Sequence, residues 1–247
     1  IEPNLIKKQA CPLCPIPCGE IIKAKEGYFE GVEVQELEYE TVAMLGSNCE
    51  QNDLSTVIKA ASLCDKYGID TITTGAIMAF VMECSEKGLI DYSIDFGNSK
   101  KQIELIELIA KRRGIGNILA EGVKKASEKF GGKEFALHVK GLEVPAYDAR
   151  GSIGMSLSYA TSDRGACHMR AWTVGNEMSA ELDRFTPDGK AKLVKDLQDF
   201  NAALWSLISC DNILNPERYS EKNAVEMLNG IGFNFKEREF LEVGERI

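Results

Sequence analysis

The chain has little of what several common protein classes require. Its 247 residues include only two histidines, His138 and His168, and no apolar run is long enough to span a membrane. Asp and Glu outnumber Lys and Arg by 38 to 29, which gives a net charge of −9 and argues against nucleic-acid binding. No stretch has the basic start and apolar centre of a signal peptide. These absences direct attention to the cysteines.

Eight cysteines without an export signal predict reduced thiols in a cytoplasmic protein. Under those conditions metal binding is favoured over a disulfide framework. The segment 11–18 carries three of them with C-x₂-C-x₃-C spacing, separated by three prolines that each fix φ and remove a backbone donor. Such a stiff loop can direct several thiolates at one centre, as an iron–sulfur cluster requires.

The cysteine loop alone leaves three interpretations open. An iron–sulfur cluster is the first, a zinc site the second and a disulfide pair the third. A four-thiolate site needs one more ligand from farther along the chain. The candidates are Cys49, Cys64, Cys84, Cys167 and Cys210.

Apolar residues recur at helical spacing along most of the chain, and caps mark several helix starts. Asp53, Asp70, Ser99 and Asn117 are the predicted N-terminal caps. The predicted helices are 40–46, 53–67, 71–86, 99–113, 117–129, 189–210, 217–229 and one from 236 onward. Residues 134–140 alternate as a short strand does, and 20–39 is irregular or hairpin-like.

The predicted fold class is therefore mainly α, with two helical domains and little strand. A change in composition near 132–141 suggests a first domain over residues 1–135 and a second over 136–247. The chain starts at Ile1 and stops at Ile247 within a helical pattern. We expect it to be a fragment of a longer polypeptide.

Six short motifs occur in one order along the sequence. They are the cysteine loop, Glu38–Thr41, Asp65–Thr71, Leu119–Gly122, Val139–Asp148 and Asp163–Arg170. Together they resemble the tungsten-containing aldehyde:ferredoxin oxidoreductase family, over essentially the whole chain. The resemblance implies the two helical domains of that family, with no counterpart of its N-terminal β-rich domain and with the last helical domain ending early.

The resemblance also implies a chemistry. Family members hold tungsten, or rarely molybdenum, between two molybdopterins beside a [4Fe-4S] cluster. They oxidise an aldehyde to a carboxylic acid and pass the electrons through the cluster to ferredoxin. A related branch acts on aromatic thioesters, so the substrate does not follow from the resemblance.

The resemblance assigns roles to particular residues. Glu40 and His168 would be the catalytic side chains beside the metal, with Tyr39 lining the pocket. Arg170, and less directly Arg164, would contact pterin phosphates. The four cluster ligands would be Cys11, Cys14, Cys18 and Cys210. The turn that cradles a pterin would use Asp65, Gly68, Ile69, Asp70 and Thr71, although the same residues also suit an ordinary helix–turn–helix with a glycine end and an aspartate cap.

The sequence departs from the family pattern at two places. In the second pterin motif, Trp205 stands where aspartate is expected and Ile208 where glycine is expected, which leaves only Cys210. No Glu-x-x-His occurs, so a dimer bridged by a metal on such a helix pair is not expected. A radical S-adenosylmethionine enzyme is disfavoured by its reversed cysteine spacing and by the scarcity of strand.

The sequence is compatible with two alternative functions. The first is the cluster-bearing part of a tungstopterin oxidoreductase, and the second is an iron–sulfur electron carrier without a substrate site. The first predicts that Glu40, Asp70 and His168 line one cleft. It also predicts an apolar, glycine-lined face near 65–72 and 141–170 that packs against another chain, for example in a homo-oligomer, and no aldehyde oxidation by the fragment alone.

Overall fold

The computed structural model describes residues 1–179, 182–210, 212 and 220–247. Helix accounts for 52% of the described residues and strand for 7%, which confirms the mainly α prediction. No helix within those residues is long and apolar enough to cross a membrane. The helices are α1 Tyr39–Leu45, α2 Leu54–Tyr67, α3 Thr71–Glu86, α4 Ser99–Ala110, α5 Gly116–Leu119, α6 Val123–Phe130, α7 Ile153–Thr161, α8 Val174–Met178, α9 Lys190–Trp205, α10 Glu221–Gly230 and α11 Glu237–Arg246.

The chain divides into two compact units. The first unit is Ile1–Ala146 with Arg164–Ala166, and the second unit is Tyr147–Asp163 with Cys167–Ile247. The predicted domains, 1–135 and 136–247, stay a prediction for the whole protein.

Helix α3 lies at the centre of the first unit. It contacts α1, α2, α4 and α6, and it is buried along most of its length because its residues are apolar nearly all round. A side chain at Gly75 would lie 2.4 Å from the Met44 carbonyl oxygen, so glycine is required for α1 to approach α3 this closely. That approach brings the first turn of α1 to the start of α3, where the Thr41 and Thr71 hydroxyls are 2.9 Å apart.

A small antiparallel sheet opens the first unit. Its strands are β1 Leu5–Gln9, β2 Gly19–Lys23 and β3 Glu33–Gln35, in the order β1-β2-β3. The cysteine loop connects β1 to β2 and is therefore held between two paired strands. Only the β2–β3 hairpin was anticipated, because β1 has a polar sequence without regular alternation.

The second unit is built on α9. Helices α7 and α11 pack against it, and α10 packs against α11. Phe200 and Phe240 anchor a core between these helices, together with the small residue Ala203. A side chain at Gly244 would lie 1.8 Å from the Asp199 carbonyl oxygen, so this glycine sets the close packing of α11 on α9.

Several predicted boundaries are corrected. Asn98, not Ser99, caps α4, since its side chain accepts from the Lys101 amide at 3.1 Å. The single helix predicted over 117–129 is two helices, because Gly122 has φ +91° between α5 and α6. The strand predicted over 134–140 is shorter: β4 His138–Val139 pairs with β5 Leu142–Glu143. The helix predicted to reach 210 ends at Trp205, and the start predicted at 217 lies outside the described residues.

The end of α9 provides a test of backbone strain. Ile208 follows it with φ +55° and a fully solvated side chain, in the left-handed conformation that glycine usually takes after a helix. That conformation costs a β-branched residue about 1–2 kcal/mol. We expect Ile208→Gly to stabilise the fold by roughly 1 kcal/mol in urea unfolding. Ser209→Gly, whose φ is not positive, is the control; equal effects in both variants would contradict the assignment of strain to Ile208.

Candidate functional site

Glu40 lies in the first turn of α1 and is almost fully buried. The Ala146 backbone N–H donates to its Oε2 at 2.9 Å. Burial raises the pKa of the Glu40 carboxyl, the Ala146 hydrogen bond opposes this, and the nearby charge of Asp70 raises the pKa again. A buried carboxylate with a raised pKa is a stronger base than an ordinary carboxylate, which suits the role of a general base.

The turn between α2 and α3 lies next to Glu40. Gly68 ends α2 with φ +65°, and the Ile69 amide donates to the Cys64 carbonyl at 3.0 Å. Asp65, in the last turn of α2, is exposed. A side chain at Gly68 would meet nothing within 4 Å, so the space beside this turn is open.

Asp70 begins the next helix from the same turn. Its Oδ2 accepts from the Thr73 amide at 2.6 Å, which confirms it as the N-terminal cap of α3. Thr71, the first residue of α3, is half-buried. The structure therefore brings Glu40 and Asp70, from the starts of two helices, to one place in the first unit.

Glu143 was not anticipated as part of this region. It lies in β5 and is 3% exposed. Its Oε1 accepts from the Val123 amide at 2.7 Å at the start of α6, and its Oε2 accepts from the Thr73 hydroxyl at 3.1 Å in α3. The carboxylate thus joins two helix starts, one of which is capped by Asp70.

The cysteine loop contains a defined turn. The Cys14 amide donates to the Cys11 carbonyl at 3.0 Å. Pro12 takes the second position and Leu13 the third, with φ +64°, which is the pattern of a type II turn. The turn holds the first two cysteines of the loop close together at the protein surface, since Cys11 is exposed and Cys14 half-buried.

The third cysteine of the loop is also at the surface. Cys18 is exposed, and its amide donates to the Ile16 carbonyl at 3.0 Å across Pro17. None of the eight cysteines, all of which are described, forms a disulfide. In the described part of the chain no group of three His, Cys, Asp or Glu side chains is arranged to hold a metal ion.

The candidates for a fourth ligand differ in their surroundings. Cys49, Cys64 and Cys84 are buried in the core of the first unit. Burial raises the pKa of the Cys49 and Cys64 thiols to about 12 and that of Cys84 to about 11, which disfavours the thiolate that a metal needs. Cys167 is buried in the second unit, and Cys210 is exposed there. Cys210 is thus the one of the five candidates whose thiol is exposed.

His168 lies in the second unit, in the 3₁₀ helix His168–Arg170. Its ring centroid is 5.6 Å from that of Tyr147, which in turn meets Trp172 edge-on at 6.0 Å. The Tyr159 hydroxyl donates to the Tyr147 carbonyl at 2.8 Å and so helps to fix this group. Trp172 stays 44% exposed, so the aromatic group presents a surface that a small molecule can contact.

A buried ion pair connects α8 and α9 in the second unit. The carboxylate of Glu177 lies 3.1 Å from the Nζ of Lys190, with both side chains almost fully buried. Burial alone would raise the pKa of Glu177, but hydrogen bonds from Ser152, Gly154 and Thr173, and the one from Lys190, hold it below its usual value. This pair could not be predicted from the sequence, because its partners lie in separate segments.

The whole chain is similar to a known protein family. Residues 1–247, the entire chain, match the family model described as aldehyde ferredoxin oxidoreductase, domains 2 & 3. The chain belongs to the aldehyde ferredoxin oxidoreductase family. This confirms the resemblance seen in the six sequence motifs.

Curated relatives in the family are tungsten-containing aldehyde ferredoxin oxidoreductases. The chain is 36% identical over 258 residues to one from Pyrococcus horikoshii and 37% identical over 256 residues to one from Thermococcus kodakarensis. Each alignment includes 98% of this chain, which spans 41% of the length of either relative.

A solved structure shares the fold. It is the active site complex BamBC of benzoyl coenzyme A reductase in complex with 1,5-dienoyl-CoA, with a TM-score of 0.77 at 19% identity. The match covers 99% of this chain and 44% of the other. At this identity the similarity concerns the fold.

Trp205 stands where the family pattern has aspartate, and it contacts Arg170. The guanidinium of Arg170 lies over the Trp205 ring at 4.6 Å from its centroid and pairs with Asp163 at 2.8 Å. Two contacts within the second unit therefore already engage this arginine. The assignment of Arg170 to pterin phosphates stays a prediction, as does that of Arg164, which is exposed in the first unit.

The predicted site residues thus fall into two groups. Glu40 and the turn 65–71 come together in the first unit, with Tyr39 exposed beside Glu40. His168, Arg170 and Cys210 belong to the second unit. A single cleft lined by Glu40, Asp70 and His168 stays a prediction. The convergence of Cys210 with the cysteine loop on one cluster also stays a prediction.

Proposed function

We propose that this chain is the cluster- and base-bearing part of an enzyme that oxidises aldehydes to carboxylic acids with a tungsten, or molybdenum, bis-molybdopterin. Electrons leave through a [4Fe-4S] cluster to ferredoxin. The observation that carries the proposal is the buried Glu40, with its raised pKa, beside the Asp70 turn. A carrier of electrons alone has no use for such a base, so this observation favours the enzyme over the electron-transfer module.

The chemistry of the chain's own thiols, amides and carboxylates suits the proposed cofactors. Three thiols on a surface loop with a fixed turn are soft donors of the kind that hold iron–sulfur clusters, and Cys210 is proposed as the fourth ligand. The open space at Gly68, next to the amides and carboxylate at the start of α3, suits a pterin edge rich in donors and acceptors. When bound, the metal group accepts the two electrons of the oxidation, and the cluster passes them on singly.

The protein's own residues manage protons and orientation. Oxidation of an aldehyde with one water yields the carboxylic acid, two electrons and two protons. Glu40 Oε accepts a proton from that water or from the hydrated aldehyde. His168 donates a hydrogen bond to the substrate oxygen as negative charge builds there. Tyr147 and Trp172, beside His168, supply an aromatic surface for the carbon portion of the substrate.

The raised pKa of Glu40 predicts a pH dependence. The base must be ionised to act, so kcat/KM falls as the pH drops through the pKa of Glu40 in the free enzyme. Because that pKa is raised, the acidic limb lies at higher pH than an ordinary glutamate with a pKa near 4.3 would give.

Assay of the full-length protein tests the function and this pH dependence together. The protein is purified without oxygen and given simple aldehydes with a viologen dye or ferredoxin as acceptor. We expect aldehyde-dependent reduction of the acceptor, with an acidic limb at higher pH than an ordinary glutamate would give. An absence of turnover in protein that contains the metal, pterin and iron would overturn the proposal.

A further inference from the structure

We propose that Glu143 is a positioning residue that anchors the segment 142–146 and thereby fixes the hydrogen bond from Ala146 to Glu40. The catalytic part of this inference rests on the proposed function of Glu40. The structural part rests on contacts within the first unit alone.

The anchor consists of two hydrogen bonds that Glu143 accepts from two different helices. One carboxylate oxygen of Glu143 accepts a hydrogen bond from the Val123 amide of α6, and the other accepts one from the Thr73 hydroxyl of α3. The side chain is 3% exposed, so water does not compete with these bonds. A side chain on Gly122 would lie 3.0 Å from Oε1, which shows how closely the start of α6 surrounds the carboxylate.

A short, stiff stretch connects the anchor to Glu40. Ala146 is three residues after Glu143, and Pro145 between them has a fixed φ. Few rotatable bonds therefore separate the anchored carboxylate from the Ala146 N–H, which donates to Glu40 at 2.9 Å. Helix α3, which bears Thr73, is capped by Asp70, whose charge acts on Glu40. Thr73 therefore contacts both Glu143, through its hydroxyl, and Asp70, through its amide.

Loss of the anchor has a specific consequence. Without Glu143 the segment can move away, and Glu40 loses the Ala146 N–H. A hydrogen bond to a carboxylate stabilises its ionised form, so its loss raises the pKa of Glu40 further. The acidic limb of kcat/KM then moves to higher pH. A residue needed only for overall stability would lower the folded fraction without moving that limb.

Four variants of the full-length protein separate the possibilities. Glu143→Ala removes both bonds. Glu143→Gln keeps them, since its carbonyl accepts from Val123 and its amide donates to the Thr73 oxygen. Thr73→Val keeps its backbone cap on Asp70 but loses the hydroxyl bond. Glu134→Ala, an exposed acid in the preceding segment, is the matched control.

Hydrogen exchange of the Ala146 amide is the first measurement, and the pH profile of aldehyde oxidation is the second. We expect exchange roughly tenfold faster in Glu143→Ala, faster in Thr73→Val, and unchanged in Glu143→Gln and Glu134→Ala. The acidic limb of kcat/KM should move to higher pH in Glu143→Ala and should lie at the wild-type pH in Glu143→Gln. If Glu143→Ala does not fold, unchanged exchange in Thr73→Val overturns the inference.

The two proposals fail in different ways. Exchange at Ala146 does not depend on turnover, so an inactive wild-type protein would reject the proposed function and leave the anchoring role standing. Normal turnover with Ala146 exchange unaffected by Glu143→Ala would reject the anchoring role and leave the proposed function standing.

Discussion

Glu40→Gln should lower aldehyde oxidation by the full-length protein at least about a hundredfold, since a positioned general base contributes a factor of roughly 10² to 10⁴. The substitution keeps an acceptor for the Ala146 N–H and nearly the same volume, so the fold and cofactor content should be unchanged. The loss should therefore appear in kcat, and the acidic limb assigned to Glu40 should disappear.

Glu237→Gln is the control for this experiment. Glu237 is also a glutamate in the first turn of a helix, but it is exposed at the start of α11. The Glu237→Gln substitution should leave turnover unchanged, because an exposed charge at a helix start affects only helix stability. Activity of Glu40→Gln close to that of wild type, at full cofactor content, would show that Glu40 is not the base.

Substitution of any loop cysteine by serine should remove the iron–sulfur cluster. Cys11→Ser, Cys14→Ser and Cys18→Ser each delete a thiolate from a site that needs four, and serine oxygen is a poor ligand for such clusters. We expect loss of iron and of cluster absorbance, and with it the loss of electron transfer to ferredoxin. Cys210→Ser tests the fourth ligand separately and should have the same effect.

A buried cysteine provides the matched control. Cys84 lies in the core of the first unit, where burial raises the pKa of its thiol to about 11. Cys84→Ser should keep its iron and its electron transfer, at some cost in stability. Retention of full iron in Cys210→Ser would remove Cys210 from the ligand set and leave Cys167 as the remaining candidate in the second unit.

The helical part of the fold could be predicted because its signals are local. Asp53 caps α2 through the Ser55 amide at 3.2 Å and Asp70 caps α3, as the spacing of polar and apolar residues indicated. Gly68 ends α2 in the left-handed conformation, also as predicted. Glu40 and Asp70 could be singled out because each belongs to a short motif at a helix start.

The contacts that complete the site could not be predicted, because their partners are distant in the sequence. Glu143 meets Thr73, and Glu177 meets Lys190, yet each glutamate resembles any other acid in a polar stretch. The strand β1 was not predicted for a similar reason, because only its pairing with β2 makes Leu5–Gln9 extended. Long-range hydrogen bonding, absent from any local pattern, selects these arrangements.

The metal, pterin and iron contents of the full-length protein, purified without oxygen, decide between the tungstopterin enzyme and the electron carrier. We expect tungsten or molybdenum with two pterins for each metal atom, together with the iron of a single [4Fe-4S] cluster. Iron without tungsten, molybdenum or pterin would contradict this expectation, because the cysteine loop would then serve an electron carrier and the buried Glu40 would have no substrate to act on.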